Sequence, residues 1–460
     1  MTAGSPFRPD VGEHATAVVV GGGVAGLVVA RDLGKAGRRV TLLEASARLG
    51  GEVQRHSVAG IDLDSGAESF ATKTDAIQTL ATQLGLGNEI VNPDPRGAWV
   101  IQPDGTAFEL PKTGLLGIPG TPMAKDVIDV IGTGAALRAE MDSLLPGPVG
   151  AKEQKLGPLV RRRMGRAVLD KLVTPVVQGV HSAHPDDLDV DRVAPGLRQA
   201  LLHENSLARA VRALREASPA GSAVGGIRGG IVRLVDELAA DLEMYGVEVR
   251  FGARVTAYEA HSVTLDTGEQ LAADTVVVAL GGRDAARLDG ALDDGTSQGS
   301  TGSASETGLI TLATLVVRDP ALDAAPRGTG VLVAPGAPGI RAKALTHATV
   351  KWDWVAERAD GRHVLRLSYS APAVGRATSD DELRSLAIDD ASRILGLSVD
   401  PASVEGFARV EWDGPYRGAG SAGREVPGVV RVGGAVAGRG LAGVVADARL
   451  KVAEILSPEV

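Results

Sequence analysis

The sequence predicts an α/β protein: a Rossmann-like, nucleotide-binding domain, a second domain built on a mixed sheet, and a helical insertion. Four stretches carry that reading. A valine-rich run, Ala17 to Val20, meets glycines at G-x-G-x-x-G spacing. A second apolar run, Asp274 to Leu280, has the same character far along the chain. Alternating segments follow between 309 and 368, whereas the stretch from about 115 to 218 is mainly helical in pattern.

Val18, Val19 and Val20 are β-branched, which suits a parallel strand buried on both faces. Gly21, Gly23 and Gly26 then have separate tasks: the tight turn, the approach of backbone to a pyrophosphate, and the packing of helix on strand. Gly22, Val24 and Ala25 complete the turn. The helix opening there, through about Lys35, aims its N-terminal amides and positive dipole end at phosphates. Gly34 and Gly37 close it, and Arg38 to Leu43 form the next strand. Glu44 ends that strand about twenty residues past the glycines, where a carboxylate accepts from ribose hydroxyls and repels a 2′-phosphate.

A chain of 460 residues can bury more than one core, so two domains, or one with a large insertion, are expected. The net charge of -9 argues against nucleic acid, whose binding needs a basic footprint. The absence of cysteine removes disulfides, thiolate zinc sites and cysteine nucleophiles. His181 and His184 have no carboxylate at ligand spacing, so no metal site is expected and both read as hydrogen-bonded loop residues. Residues 1–14 read as a disordered tail without an apolar signal core. The uncharged run Thr16 to Ala30 is too short and glycine-rich to span a bilayer. No transmembrane segment and a cytoplasmic location are therefore expected, with peripheral membrane contact left open.

After Ala45, Arg48-Leu49-Gly50-Gly51 extends the first motif, and the longer pattern resembles the FAD-binding flavoproteins of the amine oxidase and porphyrinogen oxidase superfamily. The segment 52–64 alternates as a hairpin. Gly66-Ala67-Glu68-Ser69-Phe70 then resembles the turn that lies along the flavin in protoporphyrinogen and coproporphyrinogen oxidases, implying backbone contacts from Gly66 to Ser69. Lys73 is a candidate partner for a substrate propionate, or a solvated lysine at a helix start. Asp75 to Leu86 reads as an amphipathic helix, and Ala98–Ile101 and Ala107–Leu110 as strands.

In the helical stretch, Leu156 to Gly165 and Leu172 to Leu188 resemble the porphyrinogen oxidases. Arg161 to Arg163 either face propionates or form a solvated face. Gly225 to Ile231 open a helix, Val232 to Tyr245, and two short strands run from Val247 to Val255. The resemblance implies that the backbone of Val255 holds adenine. Thr296 to Thr307 reads as a surface loop of low complexity. Strands at 309–317, 330–335, 343–346, 351–352 and 364–368 reproduce the order of the porphyrinogen oxidase substrate domain, and Asp380 to Leu397 reads as a surface helix.

Trp412, Pro415 and Tyr416 stand where that family has a tryptophan and a Pro-Gln-Tyr, here without the glutamine. Gly433 to Val445, leading into a helix from Ala446 to Leu456, resembles the C-terminal flavin motif. It implicates Gly434, Ala435, Gly443, Val444 and Val445, with Gly443 in place of the usual aspartate.

The resemblance implies an FAD-binding domain from 15–90, 225–285 and 415–460, a substrate-binding domain from 91–114 and 286–414, and a helical domain from 115–224. It implies FAD, which the missing cysteine makes non-covalent or else linked through one of the eight histidines, and oxygen-dependent oxidation of coproporphyrinogen III in haem biosynthesis with hydrogen peroxide released. Dioxygen and haem-pathway enzymes are the expected partners beside the porphyrinogen. Protoporphyrinogen IX and a non-catalytic, porphyrin-binding flavoprotein are the alternatives. An amine-oxidising site would need an aromatic cage, for which 4 Trp, 4 Tyr and 5 Phe are few. No catalytic residue is expected, since placing a bridge carbon against the flavin is the main task. Phe70, Lys73, Lys351 and Arg366 are expected in the substrate chamber.

Overall fold

The computed structural model describes residues 15–111, 114–181, 183–216, 224–290, 308–371, 373–413, 425–438 and 440–457. The expected tail, the 296–307 loop, Pro415 and Tyr416 lie outside them.

β1 (Thr16–Val20), α1 (Val24–Lys35) and β2 (Arg39–Glu44) form as expected. β1 lies between β2 and the strand Thr275–Val278, parallel to both. Glu248–Phe251 adds outside β2 and Val429–Arg431 outside Thr275–Val278, so the five parallel strands run 3-2-1-4-5 in chain order. The carboxyl ends at the switch between β1 and its two neighbours form the crevice where such sheets bind ligands. α1 packs on the sheet with Leu27, Val28, Val29, Ala30 and Leu33 fully buried. The helices Arg233–Met244 and Leu441–Leu456 share that core.

The second sheet has seven strands in the order Val404–Asp413, Leu309–Val317, His363–Ser370, Ala344–His347, Gly330–Val333, Ala98–Ile101 and Ala107–Glu109. It is antiparallel except for Gly330–Val333 on Ala98–Ile101, hence mixed. The helix Asp380–Leu395 covers one face, started by a capping box between Ser379 and Glu382. Between 125 and 216 a group of helices buries its own core, including Leu159, Val160, Leu172 and Leu201.

Several expectations need correction. Lys351 is not on a strand but ends the one-turn helix Ala348–Lys351. The segment Val224–Ile227 is a strand, pairing with Phe70–Ala71 and Ile90–Val91 before the Arg233 helix begins. The last helix starts at Leu441, ahead of Ala446, which puts Gly443, Val444 and Val445 in its first turns. The helix after Asp75 is shorter than expected, Ala76–Gln83. Arg161 and Arg162 are exposed and paired with Asp186 and Glu153, but Arg163 is neither solvated nor aimed at a ligand. It is fully buried, bonded to Asp142 and to the carbonyls of Pro146, Val149 and Asn205.

Candidate nucleotide cradle and substrate wall

The crevice begins at the glycine turn. A Cβ at Gly26 would stand 1.9 Å from the Gly21 carbonyl oxygen, so only glycine lets α1 sit this close to β1. A Cβ at Gly23 would meet no protein atom within 4 Å; it would project into open space. One glycine is thus required by packing and the other borders a space left for a ligand. Glu44 stands at the end of β2, its carboxylate accepting from the Gly22 N–H at 2.8 Å and the Ser46 N–H at 2.7 Å. Each oxygen retains acceptor capacity for a ribose hydroxyl. The turn entering the Val255 strand lies beside it, with Ala253 N–H donating to the Glu44 carbonyl at 2.9 Å.

From there a track of backbone leads to the mixed sheet. Gly50 forms a bridge with Gly23, and a Cβ at Gly51 would stand 3.2 Å from the Gly23 Cα. A Cβ at Gly66 would meet the Glu52 carbonyl oxygen at 1.9 Å and the Trp412 ring at 3.5 Å. The Trp412 indole donates to the Ser65 carbonyl at 3.1 Å, and Arg366 donates to the same oxygen at 3.0 Å and to the Gly66 carbonyl. On the opposite side, a Cβ at Gly433 would lie 3.3 Å from the Ala25 Cβ, and Gly434 and Ala435 open the short helix Gly434–Ala437. Asp447, not anticipated from the sequence, lies near Gly433, and burial raises its carboxyl. These glycines bring backbone together along the carboxyl ends of the strands, with open space at Gly23 and backbone N–H groups at the α1 N-terminus, the features a dinucleotide needs. FAD fits the residues present.

The expected substrate residues divide. Phe70 is 2 % exposed, inside the nucleotide-domain core, with the Gly225 strand against its ring; it does not face a chamber. Lys351 and Arg366 converge instead on Glu68, at 2.6 and 3.4 Å, all three at most 18 % exposed. Burial acts to raise the Glu68 carboxyl, but the two cations outweigh it and hold it below the ordinary carboxylate range. Lys73 is exposed and has no ion pair or hydrogen bond among the described residues; partial burial lowers its ammonium. Arg48 and Ala45 are exposed near Glu44, and Ala67 is the exposed tip of the turn. Val445 is fully buried in the core, so its side chain is not available to a ligand.

Asp64, buried beside the turn, accepts the Ile231 and Val232 N–H groups at 2.8 and 3.0 Å. Burial pushes its carboxyl up to about 6 despite them.

A profile of flavin containing amine oxidoreductases matches residues 24–431, which take in α1, Glu44, the helices and the mixed sheet. The chain belongs to that family. Among characterised relatives, it is similar to the coproporphyrinogen III oxidase of Mycobacterium tuberculosis, 31% identical over 400 residues and 84% of each chain. It is also similar to that of Bacillus subtilis, 26% identical over 408 residues with the same coverage. Among solved structures, an Exiguobacterium protein provisionally named a protoporphyrinogen oxidase superposes with a TM-score of 0.77 over 97% of this chain and 99% of its own. Its identity of 23% speaks to the fold. This flavin amine oxidoreductase is thus an FAD-dependent enzyme with the two-sheet architecture expected from its sequence. No helix among the described residues is long and apolar enough to cross a membrane, and none of their acidic and histidine clusters could hold a metal.

Proposed function

We propose that this enzyme oxidises coproporphyrinogen III to coproporphyrin III, with dioxygen as electron acceptor and hydrogen peroxide as by-product, as a step in haem biosynthesis. The observation that carries the reading is its likeness to relatives of that name, sustained over 84% of each chain and so across both sheets. Bound FAD supplies the two-electron oxidation, which the macrocycle needs three times.

The chain's own part is placement. Gly21 to Gly26 and the α1 N-terminus would receive the pyrophosphate, and Glu44 the ribose. The backbone at Val255 would hold the adenine. The turn from Gly66 to Ser69, fixed by Arg366 and Trp412, would line the isoalloxazine on one side, with Gly434, Ala435, Gly443 and Val444 at the other end of the crevice. Of the three expected cations, Lys73 has no partner among the described residues and is assigned to a propionate, since Lys351 and Arg366 already share Glu68. In this assignment the segments 15–90, 225–285 and 415–460 bind FAD, 91–114 and 286–414 shape the substrate chamber, and 115–224 closes it.

The test is porphyrin fluorescence against time in air, with purified holoenzyme given coproporphyrinogen III and protoporphyrinogen IX in parallel. Faster oxidation of the first is expected. Faster oxidation of the second would move the enzyme to the two-propionate substrate, and no enzyme-dependent rise with either would overturn the proposal.

A further inference from the structure

Glu68 joins two parts of the molecule that are far apart in sequence. It belongs to the turn that follows the 61–64 strand, while Lys351 ends the helical turn Ala348–Lys351 and Arg366 lies on a strand of the mixed sheet, 283 and 298 residues on. Lys351 Nζ donates to one carboxylate oxygen at 2.6 Å and Arg366 to the other at 3.4 Å. The side chains of Lys351, Arg366 and Glu68 are only 17, 11 and 18 % exposed, so solvent screens these charges weakly. Arg366 also donates to the carbonyls of Ser65 and Gly66, and Lys351 lies 5.2 Å from the Trp352 ring. Asp64 adds a carboxyl on the inner side.

Two cations and two carboxyl groups thus gather at the turn that carries Gly66 to Ser69: Glu68 belongs to it, Asp64 precedes it by two residues, Arg366 donates to the Gly66 carbonyl and Lys351 is bonded to Glu68. A flavin along that turn gains negative charge on reduction, and weakly screened charges at that range change the cost of gaining it. We propose that Glu68, Lys351 and Arg366, held together against the turn, act through their charges to set the reduction potential of the bound flavin. The inference rests on the proposed placement of FAD along the turn, but not on the identity of the substrate.

The experiment is the flavin midpoint potential of the purified, substrate-free holoenzyme. Glu68→Gln removes a negative charge and is expected to raise the potential. Lys351→Met removes a positive charge and is expected to lower it. Each shift is about tenfold in the reduced-to-oxidised equilibrium, or about 30 mV for a two-electron couple. Glu68→Asp keeps the charge and is expected to stay near the parent value. Shifts of the same sign in Glu68→Gln and Lys351→Met, or no shift in either, would overturn the proposal. A variant that merely loosened the fold would lower flavin occupancy without giving shifts of opposite sign. Ala67→Trp, at the exposed tip of the turn, checks the placement separately, because it changes the flavin absorption band only where the turn lines the ring. An altered band with unmoved potentials defeats the Glu68 role alone. An unaltered band defeats the placement, and the Glu68 role with it.

Discussion

At Gly23 and Gly26 the same substitution has different meanings. Alanine at Gly26 puts a methyl group 1.9 Å from the Gly21 oxygen, so α1 must move off β1. The Gly26→Ala variant is expected to lose thermal stability and flavin together. Alanine at Gly23 touches no protein atom, so Gly23→Ala is expected to fold with an unchanged far-UV spectrum, yet to bind FAD at least tenfold more weakly by fluorescence titration. Equal FAD affinity in Gly23→Ala and the parent would remove the cradle from the ligand's path. A second prediction concerns His347, fully buried, whose Nε2 meets His363 Nδ1 at 3.1 Å while its Nδ1 has no partner among the described residues. Burial, then His363 and Arg96, pushes it down to about 3 from the model-peptide 6.5. Below pH 6.5 the unfolded chain takes up a proton that the folded chain refuses. The stability due to neutral His347 is therefore present above pH 6.5 and is lost as pH falls toward 3, with a limiting slope of about 1.4 kcal/mol per pH unit. Asp64, pushed up to about 6, acts oppositely: its contribution is complete below 3.8 and is lost as pH rises through 6. Urea denaturation at pH 7 and pH 5 is expected to show a smaller acid loss in His347→Gln than in the parent; an identical loss would mean that His347 is already protonated in the fold.

At the scale of elements, legibility followed locality. β1, α1 and β2 could be read because valine periodicity, glycine spacing and Glu44 all lie within thirty residues or so, and strands such as Leu309–Val317 could be read from their alternation. Lys351 could not, since a Lys-Trp pair has no period, and it is the fold that makes Ala348–Lys351 a helical turn. Phe70 was misplaced because an aromatic side chain suits a core and an apolar chamber equally well. The Glu68 cluster joins a turn to residues 283 and 298 positions on, and the His347–His363 pair joins two neighbouring strands of the mixed sheet; neither contact has a local signal. The Arg161–Arg163 run shows the same limit from the other side. Its spacing gives a charged helix face, but Arg163 turns inward because Asp142, Ser206 and Ala208 meet at one point: Asp142 accepts the Ser206 hydroxyl at 2.7 Å and the Ala208 N–H at 3.0 Å as well as the guanidinium. Asp142→Ala leaves a buried guanidinium without its counter-charge and is expected to cost about 3–5 kcal/mol, measured by chemical denaturation. Arg161→Ala, removing an exposed pair, is expected to cost less than about 1 kcal/mol. A loss at Arg161 as large as that at Asp142 would mean that the exposed pair, not the buried one, holds these helices.

At the scale of the molecule, the nucleotide sheet is assembled from four separated stretches, beginning with β1 and ending with Val429–Arg431, and the mixed sheet is made largely from the chain between the last two of them. Neither sheet is continuous in sequence, so each needs the other's chain segments to be in place. Their junction is specific: Trp412 and Arg366 from the mixed sheet hold the carbonyls of the 64–70 turn, and Val316, Trp352 and Trp354 pack with Val58, Ile61 and Leu63. A ligand on one sheet should therefore stabilise both. All four tryptophans, Trp99, Trp352, Trp354 and Trp412, lie on or against the mixed sheet, so tryptophan fluorescence reports that part, while the glycine cradle proposed for FAD belongs to the other. Binding confined to the folded state adds about 2.7 kcal/mol when free ligand is a hundredfold above Kd. As FAD is titrated into the apoprotein, the tryptophan transition and the far-UV transition are expected to rise together, and neither should rise in Gly23→Ala. A far-UV transition that moves while the tryptophan transition stays would mean that the sheets unfold independently and that the 64–70 turn does not couple them.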